Sequence, residues 1–103
     1  MLTYEVTADV DAALRTQYLD WLEAHVAEIL TLPGFTGADV DEVLDPDDPD
    51  RMRLCMRYRV VDADALDAYL REHAPRLRAE GLERFGDSVR TQRRVMRPLD
   101  RFD

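Results

Sequence analysis

Among the side chains of this chain, His25 has the type and the neighbours that best suit chemistry. Trp21 lies one helical turn before it, Ile29 one turn after, and Tyr18 falls on the same stripe. Tyr4 and Tyr58 stand at in-phase positions of two alternating segments that can face that stripe. Aromatic rings, phenolic hydroxyls and an imidazole between a helix and a sheet are the ingredients of a pocket for a small, partly apolar ligand. In such a pocket His25 is the catalytic candidate, as general base or hydrogen-bond partner, and Tyr4, Tyr18, Trp21 and Tyr58 are the ligand-binding candidates. The competing reading is a core histidine satisfied by a tyrosine hydroxyl or a backbone carbonyl.

The other polar groups point to structure first. His73 precedes Ala74-Pro75 and is placed to bond free carbonyls at a helix end. Cys55 is the sole cysteine; Arg53 and Arg57 beside it could lower its pKa, but without a base nearby an inert sheet thiol is the better reading. The run Asp45 to Asp50 lacks the central glycine and terminal glutamate of a calcium loop and reads as a solvated hairpin tip. Two histidines on different elements do not make a zinc site, so neither metal nor cofactor is expected. Arg90, Arg93, Arg94, Arg97 and Arg101 form the one basic cluster, suited to pairing with acidic groups across an interface or to holding an anionic ligand.

The elements that carry these residues follow from periodicity. Residues 2 to 10 alternate, with Leu2, Tyr4, Val6, Ala8 and Val10 on one face, which specifies a strand with one side on a core. Asp9 and Asp11 offer caps to a helix over about 11–32, ended by Pro33-Gly34. That helix carries a second apolar group, Leu19, Val26 and Leu30, which needs a further cover from a partner subunit or another helix. Strands over about 35–44 and 51–60 flank the acidic turn and form a hairpin. Asp62 caps a second helical region interrupted at Pro75, with Leu66, Tyr69, Leu70 and His73 on one stripe. Leu77, Leu82 and Phe85 are assigned to the buried side of its second piece, and Gly86-Asp87 ends it before a strand over about 88–96.

The order β-α-β-β-α-β specifies an α+β, ferredoxin-like domain over residues 1–103, a four-stranded antiparallel sheet with its helices on one face. The other face carries Thr3, Glu5, Thr7, Cys55, Arg57 and Arg59 and can stack on the same face of a second copy. A net charge of −8, from 22 acidic residues against 14 arginines and no lysine, argues against nucleic acid and anionic membranes as partners. The opening Met-Leu-Thr-Tyr-Glu lacks the features of a signal peptide, and no apolar run is long enough to span a bilayer, so a cytoplasmic location is expected.

Several motifs are familiar. Trp21-Leu-Glu-Ala-His25 followed by Leu32-Pro-Gly-Phe-Thr-Gly-Ala38 resembles the dimeric α+β barrel superfamily, which includes antibiotic-biosynthesis monooxygenase-like proteins. Tyr4-Glu-Val-Thr and the long motif from Glu72 to Asp87 are similar to a bacterial family of about this length, classed as a domain of unknown function. Arg57 departs from the glutamine that family favours. The resemblance implies the fold and a homodimer paired through the open sheet face, and it brings no established activity. Two functions stand: a dimeric module that binds a small metabolite or a partner, and, as the alternative, a cofactor-free enzyme of monooxygenase or isomerase kind with His25 in the helix–sheet cleft.

Overall fold

A computed structural model describes residues 1–44 and 48–103. Four strands, β1 (Leu2–Asp11), β2 (Phe35–Val43), β3 (Arg51–Val60) and β4 (Val89–Met96), form one antiparallel sheet in the order β2-β3-β1-β4. Helices α1 (Arg15–Ile29), α2 (Ala63–Glu72) and α3 (Ala74–Phe85) complete the ferredoxin-like arrangement. The extents of 37 × 37 × 18 Å describe a slab, as one layer of sheet under one layer of helix should.

Alternation on β1 and β3 builds the core. Leu2, Tyr4, Ala8 and Val10 pair in register with Val60, Tyr58, Leu54 and Met52, and all eight are buried. Tyr18, Leu22 and Ile29 of α1 close over them. Leu19, Val26 and Leu30 pack against this same core and are half-buried in the single chain.

The first helix is shorter than its periodicity suggests. A 3₁₀ turn, Ala12–Leu14, precedes it, and Asp11 caps that turn by accepting from the Ala13 N–H at 3.0 Å. Asp9 is no cap, because its carboxylate is taken by Arg51 at 2.7 Å. The helix stops at Ile29, before Pro33-Gly34: Thr31 N–H and Oγ1 both donate to the Glu28 carbonyl, satisfying the free end locally. Gly34 then turns the chain at φ +86°, where a side chain would also meet Ala65.

Asp62 caps α2 through the Ala65 N–H at 2.9 Å, and the break falls at His73. Pro75 sits in the first turn of α3, where its missing N–H costs no helix bond. At this junction His73 contributes its backbone, donating to the Tyr69 carbonyl and accepting from the Leu77 N–H. Its ring makes no hydrogen bond among the described residues, which corrects the capping role assigned above: the Tyr69 carbonyl at the helix end is taken by the His73 N–H instead of its ring. Leu77 and Phe85 are buried as expected, whereas Leu82 is 66% exposed. Leu82 lies roughly 140° round the helix from Leu77, and the position between Leu77 and Phe85 on that face belongs to Gly81. Part of the acidic turn, 45–47, lies outside the described residues.

Candidate functional site

Between α1, α3 and the sheet lies a cavity of about 270 Å³. Small residues leave the room for it. Gly81, at the centre of the inner face of α3, brings no side chain, and a Cβ there would stand 3.4 Å from the Trp21 ring. Thr91 of β4 puts a short side chain at an inward position beside Ala8.

His25, Tyr4, Tyr18, Trp21 and Tyr58 all line this space. His25 stacks on Trp21 with ring centroids 4.5 Å apart and 17° between planes, the expected meeting of residues four apart on a helix. Tyr18 and Trp21 in turn contact Phe85, with centroids at 5.1 and 5.5 Å. On the sheet, Tyr4 lies between Tyr58 and Tyr69, at 6.0 and 5.8 Å. Its hydroxyl accepts from Arg78 of α3 at 3.2 Å.

His25 is half-buried and makes no hydrogen bond among the described residues, so it is not the satisfied core histidine of the competing reading. Burial holds its pKa below the usual imidazole value; Glu28 and Glu80 pull it upward and Arg93 adds to the lowering. Neutral imidazole is therefore favoured. The Tyr18 and Tyr69 hydroxyls are pushed up to about 12 by burial, and that of Tyr58 is raised by burial and by Tyr69, Tyr18 and Tyr4. The Tyr18 and Tyr58 hydroxyls bond no described residue, yet among the described residues no buried side-chain polar atom is left without a partner, so these hydroxyls open onto accessible space. They are neutral donors with capacity to spare.

Arg93 and Arg78 complete the lining, and among the described residues no carboxylate does. Reading the C-terminal arginines as a cluster concealed this. In β4, Arg93 shares the inward phase of Val89 and Thr91, whereas Arg94 points to the open face. Strand phase was the available signal. Tyr69, Phe85, Gly81 and Arg78 were equally unassigned, since their convergence depends on how α2 and α3 pack.

The open face is organised differently. Glu5 is buried there, accepting from Arg94 Nε at 2.7 Å and Arg57 Nε at 3.2 Å. The Arg94 bond foremost, with Arg57, holds its carboxyl below the usual range although burial opposes them. Arg57 also binds Asp41, Arg59 binds Asp39 and Arg51 binds Asp9. Cys55 is buried beside Glu5, and burial first, then the Glu5 charge, push its thiol up, so the flanking arginines do not activate it. Among the described residues no group of three or more potential metal ligands is assembled. No helix among them is long and apolar enough to cross a membrane.

Sheet order, crossovers and helix placement define a ferredoxin-like α+β protein of the kind seen in antibiotic biosynthesis monooxygenases. Over residues 1–99 the chain matches the family described as Domain of unknown function (DUF4286), and it belongs to that family. No curated protein is matched by sequence. Among solved structures, a candidate antibiotic biosynthesis monooxygenase from Deinococcus radiodurans superposes with a TM-score of 0.75 at 12% identity, covering 100% of this chain and 97% of that one. SnoaB from Streptomyces nogalater, a cofactor-independent oxygenase, gives 0.66 at 12% identity over 97% and 95% of the two chains. A dimeric ferredoxin-like protein from an uncultured marine organism gives 0.68 at 15% identity over 96% of each. At these identities the likeness is one of fold.

Proposed function

We propose that this protein is a homodimer that binds a small, partly aromatic metabolite in the cavity between α1, α3 and the sheet. The cavity itself carries the reading: about 270 Å³ walled by Tyr4, Tyr18, Trp21, Tyr58 and Phe85, with unbonded hydroxyls and a neutral imidazole facing in. That volume lies near the lower end for ligand sites and suits a molecule of one or two rings. The test is a saturation-transfer NMR screen of one- and two-ring aromatic fragments against wild type and Gly81→Leu. Hits that vanish in the variant support the reading. An absence of hits, or hits indifferent to a leucine between Trp21 and α3, contradicts it.

Pairing through the open sheet face is supported by the slab shape, by a self-contained charge ladder that a flat surface can cover, and by the dimeric ferredoxin-like neighbour. Light scattering should return about twice the 11.9 kDa chain mass, and Thr7→Arg in the middle of that face should return the chain mass. A wild-type monomer contradicts the pairing.

One observation favours a catalytic version of the site. His25 is unbonded among the described residues, its lowered pKa favours the neutral form, and it lines the same cavity as hydroxyls that can donate to a developing oxyanion. The imidazole would accept a proton from an acidic C–H or O–H of the ligand, leaving an enolate or phenolate oxygen held by tyrosine hydroxyls. Deuterium exchange from solvent into the acidic C–H of a bound ligand, lost in His25→Gln, supports this; exchange unchanged by the substitution excludes His25 as the base.

A further inference from the structure

We infer that the cavity selects an anion: a planar aromatic monocarboxylate, with the ring among Tyr18, Trp21, Tyr58 and Phe85 and the carboxylate on Arg93, assisted by Arg78. This rests on the reading of the cavity as a ligand site and specifies what that site takes.

The local charge opposes that of the whole molecule. A chain of net charge −8 lines this cavity with two arginines and, among the described residues, no Asp or Glu. The nearest acidic groups acting on His25 are Glu28 of α1 and Glu80 of α3, and both are occupied by Arg76, at 3.0 and 3.1 Å. Arg93 has only the Thr91 hydroxyl, at 3.1 Å, and no carboxylate within ion-pair distance among the described residues. Arg78 gives one N–H to Tyr4 and is likewise free of a carboxylate among them. By contrast Arg94, the next residue along β4, is bound to Glu5 on the opposite face.

Arg93 also sits where a ligand's charge would be felt. Its charge acts on Tyr18 and His25 of α1, Tyr69 of α2 and Tyr58 of the sheet, all of which line the cavity. A guanidinium offers a planar fork matched to a carboxylate, and phenolic donors can complete the anion's hydrogen bonds. The aromatic walls suit a planar ring, and a cavity of about 270 Å³ is too small for a nucleotide.

Calorimetric titration of 2-naphthoate and its neutral counterpart 2-naphthamide tests the inference. The proteins are wild type, Arg93→Gln, Arg93→Lys and Arg90→Gln, the last removing an equal charge from a position that does not line the cavity. Wild type and Arg90→Gln should bind naphthoate about tenfold tighter than the amide, as a charge-assisted hydrogen bond supplies. Arg93→Gln should bind both at the amide's affinity, and Arg93→Lys should restore part of the preference. Equal affinity of wild type for the two compounds overturns the anion inference and leaves the cavity as a ligand site. If wild type binds neither, both readings fall. Loss of both compounds in Arg93→Gln overturns the assignment by making Arg93 a structural residue.

Discussion

On the open face of the sheet, charges answer one another. Glu5 is shared by Arg57 and Arg94, Asp41 extends the chain through Arg57, and Asp39 and Asp9 hold Arg59 and Arg51. On the helix-covered face the polar groups at the cavity keep capacity to spare among the described residues: the exposed Arg93 has the Thr91 hydroxyl but no carboxylate, His25 lacks a hydrogen bond, and two tyrosine hydroxyls have no protein partner. Both faces belong to the same strands, and neighbouring residues such as Arg93 and Arg94 fall on opposite sides. Polar groups paired within the chain stabilise it, whereas the polar groups at the cavity reach accessible space and keep hydrogen-bonding capacity for something that arrives later.

That contrast can be tested from its strongest point downward. Tyr58→Ala removes a side chain only 2% exposed that contacts Tyr4 and Phe35 and floors the cavity. A loss of about 3–5 kcal/mol is expected in urea unfolding. A loss below about 1 kcal/mol would mean that the floor is not packed as described.

Glu5→Gln weakens the centre of the open face and should cost about 1–2 kcal/mol, tempered by the exposure of both guanidiniums. The pH dependence sharpens this. Because the folded carboxyl lies below its usual 4.5, its contribution is complete above that pH and is lost as pH falls through the lower folded value. Unfolding followed from pH 6 to 3 should show a shallower acid decline in the variant, and parallel curves would remove Glu5 from the ladder.

On the cavity side the sign reverses. Gly81→Ala should raise stability by about 0.5–1 kcal/mol, since alanine is the better helix former and its methyl meets Trp21 at ordinary contact distance. The same substitution should weaken binding of two-ring fragments. A stabilised variant with undiminished binding would separate Gly81 from the site.

Much of this arrangement is legible in the chain because local periodicity decides it. Strict alternation in β1 and β3 places Tyr4 and Tyr58 on the helix side, and helical spacing aligns Tyr18, Trp21 and His25. Alternation also separates Glu5, Cys55 and Arg57 onto the far face. What periodicity does not carry is the fit between elements. Arg78 reaches Tyr4 across 74 residues of sequence, and nothing local to either announces it. Gly81 is silent because the signal is a missing side chain. Arg93 was obscured by its arginine neighbours, although the β4 phase contained the answer. The late start of α1 follows the Asp9–Arg51 pair, which takes one cap away, and its early end follows Thr31, which satisfies the Glu28 carbonyl.

The most direct test of the contrast is the unfolding free energy of His25→Leu, by urea melts at fixed protein concentration and pH 8, against wild type. If His25 is an unpartnered site residue, leucine should gain up to about 1 kcal/mol, as loss of a functional polar group commonly does. The gain should widen as pH falls below 6.5, because wild type alone must then resist protonation of an imidazole whose folded pKa is lowered by burial. A loss of about 1–3 kcal/mol would contradict the account, showing that His25 holds the structure together and that the cavity face is no less self-sufficient than the open one.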